Sequence, residues 1–161
     1  MPPTIPQQLG SPEVTDVSGD ASPQADNLRF RLVELRARRT PAGHCSAEVE
    51  LEWSDGTHIT GSATGQTSAF GDMRIAAEAT IHALHQGGTD PGRFDLVGVK
   101  GMRAFDATVV IVSVVASWPH GPSSVRLVGA AFADGDDVSR GAVLAVLNAT
   151  NRIIGRRPLA S

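Results

Sequence analysis

The sequence predicts an α+β fold of two pseudo-symmetric βββα units, in which helices pack on one face of antiparallel sheets. Three observations lead to this prediction. The chain repeats itself at a nearly constant spacing, each repeat has strand-like alternation before a helical stretch, and glycine-containing turns separate these stretches. The units are expected at residues 28–88 and 94–155, within a single domain over 28–157 of the 161-residue chain.

The duplication is visible as four matches in the same order. At a nearly constant spacing, 31–39 matches 95–103, Trp53 matches Trp118, Gly61 matches Gly129, and Ala76 matches Ala142. Small insertions are tolerated best in loops, so the slight drift in spacing is expected to fall in turns. The matches therefore indicate one supersecondary unit present twice.

The first unit is predicted to contain three strands and then a helix. Residues 45–53 alternate between an apolar face and a polar face, which is typical of a strand with one solvated side. The turn at 54–56 leads into a further strand. We expect the helix to begin with Asp72 as N-cap and to end at Gly87 and Gly88.

The second unit is more apolar than the first. Residues 107–117 are apolar on both faces, and the helix over 137–153 has an apolar stripe too broad for one sheet to bury. We therefore expect a homodimer interface here. Asn148 and Asn151 are expected to bond across the symmetric contact. The candidate interface residues are Val110, Val112, Val114, Leu144, Leu147, Asn148 and Asn151.

Residues 1–27 differ in composition from the rest. They hold five of the ten prolines, four acidic residues and no Lys or Arg. Such a segment buries too little apolar surface to offset its ordering entropy, so we expect a disordered tail. Its expected role is either to keep the protein in solution or to dock a protein partner.

The overall composition argues against a membrane protein. The net charge is −3, and no stretch approaches the roughly 18 to 20 apolar residues that span a bilayer. The N-terminus has neither a basic start nor an apolar signal core, so we expect a cytoplasmic protein. The lone Cys45 fits a reducing compartment.

No catalytic or metal site is predicted. His82 and His85 lie close together on the first helix, but the further ligands that zinc needs are missing at a usable spacing. His44 and Cys45 are adjacent on a strand and therefore point to opposite faces, which does not suit a thiol and its base. We expect no enzyme activity and no cofactor.

Arginines occur along the first strand and near the C-terminus, and they leave two interpretations open. A phosphate-bearing or nucleic-acid partner would use them together. The interleaved Glu34, Glu48 and Glu50 favour instead cross-strand ion pairs on a solvated sheet face. The small net charge makes nucleic-acid binding the less favoured interpretation.

The doubled unit and the last helix resemble the C-terminal regulatory, dimerisation domain of 2-isopropylmalate synthase and its citramalate-synthase relatives. The resemblance covers residues 30–155. The residues in matching places of the last helix are Asp137, Val138, Ala145, Leu147, Asn148, Ala149, Asn151 and Arg152. It implies a dimer that binds a small metabolite, such as a branched-chain amino acid. The chain has no room for the family's catalytic barrel of about 250 residues, so we expect a module without the synthase reaction.

Two loops are the candidate ligand site. Gly65, Gln66, Thr67 and Ser68 precede the first helix, where backbone N–H groups suit a carboxylate. This loop keeps a glycine of the family but lacks its proline. Before the second helix lie Asp134, Asp136 and Asp137, which suit an amino group. The same residues also occur as ordinary helix caps.

The predicted function is a non-catalytic regulatory and dimerisation module, with a branched-chain amino acid as its candidate effector. The alternative is a structural or protein-interaction dimer that binds no ligand.

Overall fold

The computed structural model describes residues 29–68, 70–88, 91–121 and 123–154. The elements follow in chain order: β1 (Arg31–Arg39), β2 (His44–Glu52), β3 (His58–Gln66), α1 (Gly71–Gln86), β4 (Arg93–Ala104), β5 (Ala107–Ser117), β6 (Ser124–Ala133) and α2 (Val138–Ile154). The predicted tail at 1–27 and the end of the predicted domain at 155–157 lie outside the described residues.

Two three-stranded antiparallel sheets and two helices form the architecture. β1, β2 and β3 pair in that order in the first sheet, and β4, β5 and β6 pair in the same way in the second. One helix follows each sheet, so the chain consists of two βββα units. The predicted fold class is confirmed.

Alternation along the central strands separates a buried face from an outer face in each sheet. Ala47, Val49 and Leu51 of β2 are buried, whereas Glu48 between them is exposed. α1 packs across the buried face and contacts β2 and β3, and α2 packs in the same way on β5 and β6. The core of each unit therefore lies between one sheet and its own helix.

The two units share an irregularity in their first strands. The register of β1 on β2 shifts between Leu32 and Glu34, and that of β4 on β5 shifts between Leu96 and Gly98. The extra residue is a valine in both strands, and the two valines are at matched positions of the duplication. A bulge at the same place in each copy supports the duplication independently of the sequence matches.

The start of α1 differs from the prediction. Phe70 occupies the cap position without a side-chain hydrogen bond, and Asp72 lies inside the first turn. The carboxylate of Asp72 forms an ion pair with Arg39 of β1, so a strand residue binds the oxygen that was expected to cap the helix. The helix ends as predicted, with Gly87 at the C-cap and Gly88 at a φ of 58°.

Glycines bring each helix backbone into contact with the sheet. A Cβ at Gly61 would lie 2.2 Å from the carbonyl oxygen of Ala79, and a Cβ at Gly129 would lie 2.0 Å from that of Ala145. No side chain fits in such a gap, so only glycine permits these crossings. The matched positions make the same contact in both units.

The helices also join the two units. α1 and α2 pack against each other, α1 contacts β4, and α2 contacts β1. Leu147 is only 3% exposed and Ile154 only 4% within the single chain, and Leu144 is half-buried. The broad apolar surface of α2 is thus largely used inside the chain, which corrects its assignment to a dimer interface.

We expect Gly61→Ala to destabilise the fold by about 3 kcal/mol, because its methyl group would overlap the backbone of α1. Urea unfolding followed by circular dichroism measures this loss. The matched control is Gly121→Ala, where the nearest atom to an added Cβ is 4.0 Å away and little change is expected. Equal unfolding midpoints for the two variants would contradict the close contact.

Candidate functional site

The predicted carboxylate-binding loop has internal partners. Gly65 and Gln66 are the last residues of β3 and pair with β2. The N–H of Thr67 donates to the carbonyl oxygen of Gly43 at 2.8 Å. The carbonyl oxygen of Ser68 accepts a hydrogen bond inside the same turn. These bonds interrupt the row of free N–H groups that the sequence predicted.

Two polar atoms near the start of α1 have no partner among the described residues. They are Thr67 Oγ1 and Asp72 Oδ1, and both are buried. The other carboxylate oxygen of Asp72 is the one bound by Arg39. Buried polar atoms are nearly always hydrogen-bonded in proteins, so these two are where a water molecule or a small polar ligand would bind.

The acidic loop before α2 acts mainly as a helix start. Asp137 Oδ1 accepts a hydrogen bond from the N–H of Arg140 at 3.0 Å, which is the geometry of an N-cap. Asp134 and Asp136 accept turn hydrogen bonds through their carbonyl oxygens, and both residues are exposed. Among the described residues, no hydrogen bond or ion pair joins this loop to residues 65–68.

Three predicted interface residues lie on the buried face of β5. Val110, Val112 and Val114 are 0% exposed and face the helices of their own chain. Both faces of β5 are apolar, so alternation alone did not reveal which face is buried. The half-buried residues on the opposite face are Val109, Ile111 and Val115.

The two asparagines of α2 bond within the chain. Asn148 Nδ2 donates to the carbonyl oxygen of Ala130 at 2.8 Å. Asn151 Oδ1 accepts from the N–H of Phe30, and its Nδ2 donates to the carbonyl oxygen of Phe30, both at 2.9 Å. The predicted bonding of these amides across a dimer is corrected, since Asn151 instead ties α2 to the chain just before β1.

In the first unit a histidine occupies the position that matches Asn151. His85 Nε2 accepts a hydrogen bond from the N–H of Phe94 at 3.0 Å. In the alignment of the two units, His85 matches Asn151 and Phe94 matches Phe30. Each helix therefore holds the first strand of the other unit through one side chain. Sequence reasoning missed the bond between Asn151 and Phe30 because its partners are far apart along the chain.

The outer face of the first sheet is charged and internally paired. Arg36 contacts Glu34 at 2.8 Å and Glu48 at 3.3 Å, and His58 contacts Glu50 at 2.5 Å. The hydrogen bond from Arg36 lowers the pKa of Glu34. These contacts favour the ion-pair interpretation of the first-strand arginines over a nucleic-acid surface.

The outer face of the second sheet is apolar and exposed. We call this surface the apolar face. Phe132 is 60% exposed, Val128 53% and Met102 44%. Its apolar members, placed by the strand register, are Met102, Val109, Ile111, Val115, Val128, Ala130 and Phe132. The exposed Lys100 lies on the same face, opposite Ile111. Phe105, at the tip of the adjoining β4–β5 turn, is 93% exposed.

An open concavity of about 550 Å³ lies beside the β5–β6 connection. Trp118, Pro119 and Val125 supply most of its apolar lining, with His120 at its side. In the first unit the matched Trp53 packs on Phe30, with 4.4 Å between ring centroids. The concavity does not include the two predicted ligand loops.

Within the described ranges, no three His, Cys, Asp or Glu side chains form a group that could hold a metal ion. Cys45 is buried, while the adjacent His44 is exposed, as the strand alternation predicts. No helix in the same ranges is long and apolar enough to cross a membrane.

Comparison with known proteins yields no assignment. No family model matches the chain, and no curated protein sequence matches it.

We expect His85 to make the stability of the fold depend on pH. Burial lowers the pKa of its ring below the ordinary value of 6.5 in the folded protein. The unfolded chain therefore binds this proton more readily than the folded chain does. The stability contributed by His85 is complete above the unfolded pKa and is lost as the pH falls through the lower, folded pKa.

Urea unfolding from about pH 7.5 to about pH 5 measures this effect. His85→Asn is the control, because it copies Asn151 and offers an acceptor that does not titrate. The variant is expected to lose less stability on acidification than the wild-type protein. The same pH slope in both would rule out His85 as the cause.

Proposed function

We propose that the protein is a non-catalytic module that works as a homodimer through the apolar face, and that it is related to the regulatory domains it resembles. One observation carries the proposal. The two sheets share topology and bulge position, yet the first has a paired, charged outer face and the second has an exposed apolar one. So large a difference between the outer faces of two copies suits a surface selected for a partner.

The energetics support the same conclusion. Burying apolar surface stabilises by about 25 cal/mol per Å², and large contiguous apolar patches are rare on proteins that act alone. A second copy supplies an identical apolar face, and a twofold axis closes the contact so that no apolar surface remains to recruit a third copy. The charged outer face of the first sheet is a poor complement to it.

Phe132→Glu is expected to convert the dimer into a monomer, because it places a charge inside a desolvated contact. The control is Thr64→Glu, which lies at the matched position of β3 and on the charged face. Sedimentation velocity at about 50 µM reads the mass. A monomeric wild-type protein, or a dimeric Phe132→Glu variant, would refute the proposed interface.

A small effector is the second part of the proposal. The exposed carboxylates of Asp134 and Asp136 suit an amino group, and the unpartnered Thr67 Oγ1 offers a polar contact near the other helix start. An interaction dimer without ligand is the second candidate function. The internal hydrogen bond of the Thr67 N–H favours it, because this bond interrupts the expected carboxylate cradle.

A thermal-shift panel of branched-chain amino acids and 2-oxo acids separates these two functions. An effector at about 100 times its Kd is expected to stabilise the fold by about 2.7 kcal/mol, with a saturable rise in Tm. Asp134→Asn combined with Asp136→Asn is expected to abolish the response without changing the Tm of the free protein. A panel without any shift favours the interaction dimer.

A further inference from the structure

The connection between β4 and β5 is a tight turn built from residues that do not suit it. Ala104 pairs with Ala107, so Phe105 and Asp106 alone form the turn. Their φ angles are 53° and 60°. Positive φ at both central positions is the mark of a type I′ hairpin turn, which favours Asn or Gly. A bulky side chain at positive φ is a conformational outlier, because its Cβ lies too close to a carbonyl oxygen.

Elsewhere the chain uses glycine for this backbone conformation. Among the described residues, the other positions with positive φ are Gly43, Gly56, Gly88 and Gly135. The ring of Phe105 is 93% exposed, so its burial in the fold does not offset the strain. Strained backbone persists mainly at sites with a function. The phenylalanine of this turn therefore points to a contact outside its own chain.

The turn adjoins an uncharged row of the apolar face. Met102 of β4, Val109 of β5 and Phe132 of β6 form this row across the sheet. Phe105 follows Met102 by three residues, or about 10 Å along the strand. The charged residues of the face lie in other rows and are Asp95, Lys100 and Arg126. A second copy seated on the uncharged row would thus come within reach of the Phe105 ring.

We propose that Phe105 is an anchor residue of the homodimer and that its ring packs on the apolar face of the second copy. This inference rests on the proposed homodimer and names a residue outside the sheet on which its affinity depends. Aromatic rings bury much apolar area and lose little side-chain entropy, which makes them frequent anchors of protein contacts. Twofold symmetry forms the contact twice, so one substitution removes two rings.

The proposal gives Phe105 opposite effects on folding and on association. Phe105→Asn places in the turn a residue that tolerates positive φ, and it removes the ring. In the monomeric Phe132→Glu background, this change is expected to raise Tm by about 2 to 5 °C. In the otherwise wild-type protein it is expected to raise the dimer dissociation constant about thirtyfold. Differential scanning calorimetry measures Tm, and sedimentation equilibrium measures the dissociation constant.

Asp106→Gly is the matched control, because it relieves the strain at the other position of the same turn and keeps the ring. It should also raise Tm in the Phe132→Glu background, and it should leave the dissociation constant within about threefold of the wild-type value. Circular dichroism checks that every variant is folded.

A Phe105→Asn variant that dimerises like the wild type, or that has a lower Tm in the monomeric background, would overturn the assignment of Phe105. The same holds if Asp106→Gly weakens the dimer as much as Phe105→Asn does. If Phe132→Glu still dissociates the dimer in those cases, the proposed interface stands and only the anchor is wrong. A monomeric wild-type protein would overturn both.

Discussion

The fold depends on how closely each helix approaches the third strand of its unit. At Gly61 and Gly129 the strand has no side chain, and the helix backbone occupies that space. This contact keeps the helix axis close to the sheet. Each helix is therefore buried against its own sheet and also contacts the other helix and the first strand of the other unit. Small residues such as Ala79 and Ala145 line the approach because nothing larger fits there.

This constraint explains why the two copies diverged where they did. Their inner faces must fit the same helix-on-glycine geometry, so substitutions there create cavities or overlaps. The outer faces touch no helix and were free to change. The outer face of the first sheet carries ion pairs around Arg36. The outer face of the second sheet has Phe132 exposed beside Val109. The apolar face thus lies on the side of the sheet that does not pack against a helix.

The sequence predicted those features that repeat or alternate locally. Matches such as Trp53 with Trp118 revealed the duplication, and the clean alternation around Val49 identified the buried face of β2. On β5 the same reasoning could not tell whether Val110 or Val109 faces the core, because apolar residues occupy both faces of this strand. The bond between Asn151 and Phe30 joins residues 121 positions apart and leaves no local pattern. The broad apolar stripe of α2 predicts a partner surface from sequence alone, because the contacts that bury the stripe, with α1 and β1 of the other unit, are likewise non-local.

The two side chains that hold the first strands differ in chemistry, and the difference falls on the second sheet. Asn151 both donates to Phe30 and accepts from it, and an amide does not titrate in the physiological range. His85 only accepts from Phe94, and protonation of Nε2 removes that acceptor. Phe94 is followed directly by Asp95. The first strand of the second sheet is therefore held, next to the exposed Asp95, by a histidine that titrates, whereas the first sheet is held by an amide that does not.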